Sequence, residues 1–189
     1  LYVVHVPLLY LGCTPLLRLA HQFCPPRTAS AFVCGTPNAV DAPKGMLVKP
    51  DFEKSKALLK EAGYDGTPVV LMQSTTLPVL TNTAPVTKAL LEQGGFKVDM
   101  QSMDWQTLVA RRTKKDPPAQ GGWHLFHTWH AGADCVNPAA YIAIDSSGDT
   151  AWFGWPKSED VQRGIQAWYA VPDAAAEKAS IEALNKTAM

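Results

Sequence analysis

Apolar and polar residues alternate regularly from about residue 51 onward, and this pattern predicts helices that alternate with strands. Asp51 is a good helix N-cap, and Gly63 is placed to end the helix that follows. Apolar side chains recur between these two residues at helical spacing. The sequence therefore predicts a helix from Asp51 to Gly63.

Two strands and a second helix are predicted next. The segment PVVLMQ at 68–73 is typical of a buried strand, and FKVDMQ at 96–101 alternates apolar and polar residues, which is typical of a strand with one solvated face. The helix between them should begin near Thr83, because an interior Pro85 would lack a hydrogen-bond donor and clash with the preceding turn. It should end at about Gln93, where two glycines follow.

The second half of the chain continues the alternation. Asp104 is a good cap for another helix, whose basic end suits the negative C-terminus of the helix dipole. The loop DPPAQGG then breaks the chain before an aromatic strand. The predicted elements are a helix at 105–115, a strand at 124–129, and helices at about 158–170 and 173–188. Helices that alternate with strands predict an α/β lobe.

Composition excludes several classes of protein. A hydrophobic content of 47% with 18% charged residues argues against disorder. Lys plus Arg number 17, as do Asp plus Glu, so no net charge attracts nucleic acid, and none is expected as a partner. The apolar run at 1–12 lacks the basic region of a signal peptide and the length of a membrane helix.

Enzyme signatures are missing from the sequence, which contains no GxSxG, P-loop, HExxH or GxGxxG motif. We therefore expect neither catalysis nor a cofactor. His124, His127 and His130 form an HxxHxxH pattern that could suit a metal-assisted hydrolase. In an extended strand, however, His127 points away from the face that the other two share, so we expect no metal site.

Candidate ligand contacts follow the predicted aromatic strand. Asp134 and Asn137 lie in the turn GADCVNP, and α/β sheets usually bind ligands beyond the ends of their strands. The alternative is that both side chains only satisfy turn backbone. Trp129, Tyr141 and Trp152 are the aromatic candidates, because rigid aromatic walls suit a cleft for varied solutes. Ordinary core packing is the alternative for each of them.

Four stretches resemble a known family in order and spacing. They are AFVCGTPNAVDA (31–42), DFEKSKALLKEAGYDG (51–66), WQTLVARRTKKDPPAQGGWHLFHTWHAGADCVNP (105–138) and AWFGWP (151–156). The chain resembles the extracytoplasmic solute-binding proteins of ABC importers, family 5, which capture peptides, nickel complexes and related solutes. This resemblance implies part of a larger protein with a two-lobed, type II periplasmic-binding-protein-like fold, in which a mixed sheet is flanked by helices. The α/β lobe would cover 46–189, and 1–45 would be an atypical N-terminal segment with a lobe-connecting stretch.

The resemblance also implies a function and partners. Hinge closure would capture a small solute such as a peptide outside the cytoplasm, and the protein would associate with the membrane through ABC permease subunits. Peptide-binding members often carry an acidic residue where this chain has Asn137, so a solute ammonium group would fall to Asp134. The rival interpretations are a metal-assisted hydrolase at the three histidines and a structural fragment that binds no solute.

A disulfide between Cys24 and Cys34 is the last implication of the resemblance, which includes a cysteine pair near VCGTP. An oxidising compartment would favour it. The alternative is that all four cysteines are ordinary thiols, since they show no CxxC or zinc-knuckle spacing.

Overall fold

The computed structural model describes Phe32, Asn38 and residues 50–188, which divide into two compact units. The first unit covers residues 50–129, and the second covers residues 130–188 together with Phe32 and Asn38. The expected division of the chain at residue 45 lies outside the described residues and stays a prediction.

The first unit alternates helices with strands as the sequence predicts. Its elements are helix α1 (Phe52–Glu61), strand β1 (Val69–Ser74), the short helix α2 (Pro78–Thr81), helix α3 (Thr83–Gln93), strand β2 (Val98–Met103), helix α4 (Trp105–Arg111), a 3-10 turn (Pro118–Gln120) and strand β3 (Leu125–Phe126). The second unit contains 3-10 turns at Gly132–Cys135 and Ile142–Ile144, followed by helices α5 (Glu159–Tyr169) and α6 (Ala174–Ala188). The predicted α/β class is confirmed.

Strand β1 lies at the centre of a three-stranded sheet with the order β2-β1-β3, and both pairings are parallel. The resemblance implied a mixed sheet, but in the part of the chain that the structure describes the sheet is parallel. The reason is that helices connect each strand to the next and return the chain to the same end of the sheet. All of β1 pairs with β2, whereas only residues 71–72 of β1 pair with 125–126 of β3.

Local capping signals set the ends of helices α1 and α3 as predicted. The Asp51 carboxylate accepts the backbone N–H of Lys54 at 2.9 Å, and Gly63 follows the helix with a φ of +70°. Helix α3 begins at Thr83. Pro85 therefore lies in its first turn, where backbone N–H groups have no partner within the helix.

Helix α4 is shorter than predicted, since it ends at Arg111 and not near residue 115. The Arg111 guanidinium reaches out of the helix and donates to the carbonyls of Gly121 at 2.9 Å and Gly122 at 2.8 Å. Residues 112–122 fold back so tightly that a Cβ on Gly122 would lie 1.9 Å from the Asp116 carbonyl oxygen. These contacts end the helix early, because they require the chain to turn.

Strand β3 is also shorter than the predicted span 124–129. The His124 backbone N–H donates to the Val70 carbonyl at 3.0 Å, and the His124 ring Nδ1 accepts the Val70 N–H at 2.8 Å. The ring thus replaces a backbone acceptor in the ladder at the start of the strand. Regular pairing is confined to Leu125 and Phe126.

Each unit buries its own apolar cluster. The buried residues of the first unit include Leu71, Met72, Leu80, Leu108 and Trp123. The core of the second unit consists of Phe32, Ile144, Val161, Ile165, Ile181 and Leu184, with Tyr141 and Trp168 packed against it. None of the helices within the described ranges combines the length and hydropathy needed to cross a membrane.

Candidate functional site

The three parallel strands end at one edge of the sheet, which we call the carboxyl edge, and α/β sheets usually bind ligands there. On the β2 side this edge is closed by the protein itself. Thr75 donates its backbone N–H and its hydroxyl to the Met103 carbonyl at 2.9 and 3.1 Å, and the Trp105 N–H donates to the Thr76 hydroxyl at 3.0 Å. These protein contacts occupy the backbone groups that a ligand would need on that side.

On the β3 side no described residue closes the carboxyl edge, and we call this side open. Residues 127–129, which we call the edge segment, follow β3 but do not pair with β1. The pairing of Met72 with Phe126 turns the His127 N–H toward the Met72 carbonyl, whereas the backbones of Thr128 and Trp129 make no hydrogen bond with another residue in the described ranges. Among the described residues, nothing therefore bonds the peptide groups of Thr128 and Trp129, which lie where α/β sheets usually bind ligands.

Trp129, a predicted ligand contact, ends the edge segment and is 56% exposed. Trp123, in contrast, is buried in the core of the first unit and donates its indole N–H to the Arg112 carbonyl at 3.2 Å. Core packing thus accounts for Trp123, but it does not account for Trp129, whose aromatic surface is free to contact a solute.

His127 begins the edge segment and attaches it to helix α3. Its Nε2 lies 2.9 Å from the hydroxyl oxygen of Thr87. Its Nδ1 is buried and has no hydrogen-bond partner among the described residues. Burial lowers the pKa of His127. Sequence reasoning considered this residue only as a metal ligand, because nothing in its local sequence indicates the contact with Thr87.

In the second unit, Asp134 and Asn137 both bond turn backbone. Asp134 Oδ2 accepts the Ala131 N–H at 3.2 Å, and Asn137 Oδ1 accepts the Ala140 N–H at 2.9 Å. The alternative role predicted for them, as turn braces, is therefore present. Asp134 is nevertheless exposed, so its second carboxylate oxygen is accessible. The Asn137 NH2 group remains as a donor, and its oxygen, which carries no full charge, suits an ammonium group less well than a carboxylate does.

Tyr141 and Trp152 both contact His130, a residue that was not predicted as a ligand contact. The His130 ring is 5.4 Å from each of their ring centroids, and we call these three residues the aromatic cluster. Tyr141 also packs edge-on against Phe32 at 6.4 Å. Burial raises the pKa of Tyr141 to about 12, so the phenol stays neutral.

A closed loop at 146–158 presents Trp152. The Ser158 N–H donates to the Ser146 carbonyl at 3.1 Å, and the Gly148 N–H donates to the Pro156 carbonyl at 2.9 Å. These bonds join the ends of the loop and hold Trp152 in place.

The three histidines have three different environments. The His124 ring bonds Val70, the His127 ring bonds Thr87, and His130 belongs to the aromatic cluster of the second unit. Within the described ranges, no three His, Cys, Asp or Glu side chains are grouped as metal ligands. This arrangement does not support the hydrolase interpretation.

Cys24 and Cys34, the predicted disulfide partners, lie outside the described residues, so that pair stays a prediction. Cys135 is a half-buried thiol, and burial raises its pKa.

Comparison with known proteins relates this geometry to a family. Residues 20–150 match the family profile "Bacterial extracellular solute-binding proteins, family 5 Middle". The match begins before residue 31, where the resemblance in the sequence starts. A curated relative, the probable peptide ABC transporter periplasmic-binding protein y4tO of Sinorhizobium fredii, is 36% identical over 118 residues, which make up 62% of this chain and 22% of that protein.

Solved structures share the fold. The clavulanic acid biosynthesis oligopeptide binding protein 2 aligns with a TM-score of 0.66 and 18% identity over 85% of this chain and 31% of its own. AppA of Bacillus subtilis, solved with a nonapeptide, aligns with a TM-score of 0.59 and 18% identity over 84% of this chain and 34% of its own. At this identity the structures show the fold alone. The chain thus spans 22% of the curated relative and about a third of each solved chain.

Proposed function

Because the chain belongs to family 5 of the bacterial extracellular solute-binding proteins, we propose that it binds a small solute such as a peptide for an ABC importer. The name of the curated relative and the nonapeptide held by AppA support peptides as the solute class. The protein would act outside the cytoplasm, and ABC permease subunits would hold it at the membrane.

The observation that carries this proposal is the open side of the carboxyl edge. A peptide main chain needs a row of backbone donors and acceptors, and this recognition does not depend on the peptide sequence. The edge segment offers such groups at Thr128 and Trp129, whose backbones bond no other described residue. Trp129 adds exposed aromatic surface at the end of the segment.

We propose Trp129 as a ligand contact of the first unit and Asp134, Asn137, Tyr141 and Trp152 as ligand contacts of the second. The accessible oxygen of Asp134 suits the ammonium group of a peptide. Asn137 would donate to a carbonyl oxygen, because its own oxygen already accepts the Ala140 N–H. Tyr141 and Trp152 would supply an aromatic wall.

The mechanism would be binding without catalysis. In the whole protein, a solute that contacts both lobes stabilises the closed form by its higher affinity for that form. The closed form would then be the one that docks on the permease. Neither solute binding nor hinge closure breaks a covalent bond, so no base, nucleophile or cofactor is required.

Calorimetric titration of the purified protein with a panel of short synthetic peptides tests the proposal. We expect saturable binding of at least one peptide, with the peptide recovered intact afterwards. Zinc-dependent cleavage of the peptides, abolished by His127→Ala, would instead establish the hydrolase. A panel with neither heat nor cleavage would favour a structural role.

A further inference from the structure

We propose that His127 is a positioning residue, which through Thr87 holds the edge segment where a peptide backbone binds and which releases the segment when its ring is protonated. That the ligand is a peptide rests on the proposed function. The attachment and release of the segment rest on the contacts of His127 itself.

The first support is that the edge segment has so few attachments. The pairing of Met72 with Phe126 turns the His127 N–H toward the Met72 carbonyl, but Thr128 and Trp129 make no hydrogen bond with any other residue in the described ranges, through either backbone or side chain. The 2.9 Å contact between His127 Nε2 and the Thr87 hydroxyl is therefore its sole side-chain hydrogen bond in those ranges. Losing this contact would leave Thr128 and Trp129 held only through the backbone of His127, and so free to move.

A second support is the contrast with Gln73 on the neighbouring strand. Gln73 Nε2 donates to the Thr81 carbonyl at 2.8 Å, and Gln73 Oε1 accepts the Ser102 hydroxyl at 2.6 Å. Both polar atoms of that buried side chain are satisfied, so the end of β1 is fixed. His127 has a hydrogen-bond partner at Nε2 but none among the described residues at Nδ1. Its side chain therefore holds the carboxyl edge less firmly than Gln73 does.

The third support is the chemistry of the unsatisfied nitrogen. A neutral imidazole has one N–H and one lone pair, and a hydroxyl group can bond either of them at Nε2. A protonated imidazole carries an N–H at both positions, and the buried Nδ1 has no described acceptor. The protonated ring is therefore favoured only when it leaves this position for water. The lowered pKa of His127, caused by burial, agrees with this.

Among the described elements, no nearby charge offsets the positive charge that protonation would give the His127 ring. Helix α3 carries Lys88 and Glu92, which pair with each other at 3.2 Å. Helix α2 and strands β1 and β3 contain no charged residue, and the ring of His124, just before β3, bonds Val70. Among the described elements, no carboxylate is placed to stabilise a protonated His127.

Nitrogen-15 relaxation of Thr128 and Trp129 in the solute-free protein tests this positioning role. We expect both amides to be ordered at about pH 7.5 and to become mobile as the His127 ring titrates on lowering the pH to about 5. Thr87→Val should make them mobile at every pH. Thr187→Val is the matched control, because Thr187 bonds Ala183 within helix α6 and should change nothing in the segment.

His127→Gln separates positioning from general stability. Glutamine can still reach Thr87 but cannot be protonated, so we expect the segment to stay ordered at every pH. Amides that stay ordered in Thr87→Val, or that loosen at low pH in His127→Gln as in the native protein, would overturn the proposal. Unfolding in urea, measured for each variant, identifies any that fails to fold.

A peptide titration then links the segment to binding. With trialanine as the probe, we expect about tenfold weaker binding when the competent segment falls to roughly a tenth of the population, and no such loss in His127→Gln. If the relaxation results hold but neither trialanine nor the panel binds, the positioning role stands and the peptide function fails. If peptide affinity is the same whether or not the His127 ring is protonated, the positioning role fails.

Discussion

At several points in this protein, a side chain makes a hydrogen bond that a backbone group would otherwise make. The His124 ring accepts a ladder hydrogen bond, and the Asp134 carboxylate accepts an N–H in its turn. A side chain with such a role has structural consequences when it is changed, whether or not it also contacts a solute. Substitutions at these residues must therefore measure folding and binding separately.

Asp134 can be tested with two substitutions. We expect Asp134→Asn to weaken peptide binding by about 1.5–3 kcal/mol, roughly tenfold to a hundredfold, because an amide lacks the charge that bonds an ammonium group. The amide oxygen can still accept the Ala131 N–H, so the melting temperature should hardly change. Asp134→Ala should lose affinity as well, with only a small loss of stability. Unchanged affinity with a lowered melting temperature would make Asp134 a turn brace only.

The stability of the protein should depend on pH through His124 and His127. Burial lowers the pKa of both rings in the folded protein, so the unfolded chain binds more protons below its ordinary pKa of about 6.5. Their contribution should be present above that pH and be lost as the pH falls through the lowered folded values. Urea unfolding measured across this range tests the slope.

The substitution His124→Leu tests the role of the His124 ring in a second way. This change leaves the buried Val70 N–H without its acceptor and should cost about 1–3 kcal/mol in the free energy of unfolding at neutral pH. It should also reduce the pH slope. A variant as stable as the native protein would show that the ring is not needed in the ladder.

At the scale of the elements, the guanidinium of Arg111 connects several parts of the first unit. It bonds Gly121, Gly122 and Gln101, so it joins helix α4 to strand β2 and to the loop that leads into β3. We expect Arg111→Lys to cost roughly 2–4 kcal/mol, since an ammonium group cannot bond three acceptors in the plane of a fork.

Arg163→Lys is the control for that change, and chemical unfolding is the measurement. The Arg163 side chain is 69% exposed and pairs with Glu159 and Asp160 at the surface, so its replacement should shift stability by less than about 0.5 kcal/mol. Equal effects of the two substitutions would contradict the bridging role of Arg111.

The elements also show what a sequence can predict. Helices α1 and α3 were predicted correctly because Asp51, Gly63 and Pro85 act on their own neighbours. The lengths of α4 and β3 were predicted wrongly, because Arg111 and the His124 ring bond residues outside their own elements. The role of His127 was missed for the same reason, since Thr87 lies in another element.

At the scale of the whole molecule, family membership and fold agree with the interpretation from sequence motifs, while individual ligand contacts stay predictions. The motifs identify the family because they cover long stretches of chain, such as residues 105–138. Ligand contacts depend on where loops meet in space, which the motifs do not specify. His130 illustrates this, since its position between Tyr141 and Trp152 joins three separated parts of the sequence.

Zinc titration tests the alternative that the protein is a metal-assisted hydrolase. We expect no stoichiometric zinc uptake by calorimetry, because the three histidine rings have separate partners or neighbours. Tight uptake that His127→Ala abolishes would contradict this and revive the hydrolase. Weak uptake that every histidine substitution leaves unchanged would indicate surface binding only.

The open side of the carboxyl edge also has a consequence for how the protein behaves in concentrated solution. If this edge binds a peptide as proposed, it can also accept a strand from another copy of the chain, which is a route to aggregation. The net formal charge of zero at neutral pH provides little repulsion between copies. Bound solute would cover the edge, so a saturating peptide should act as an inhibitor of self-association, and light scattering should fall when one is added.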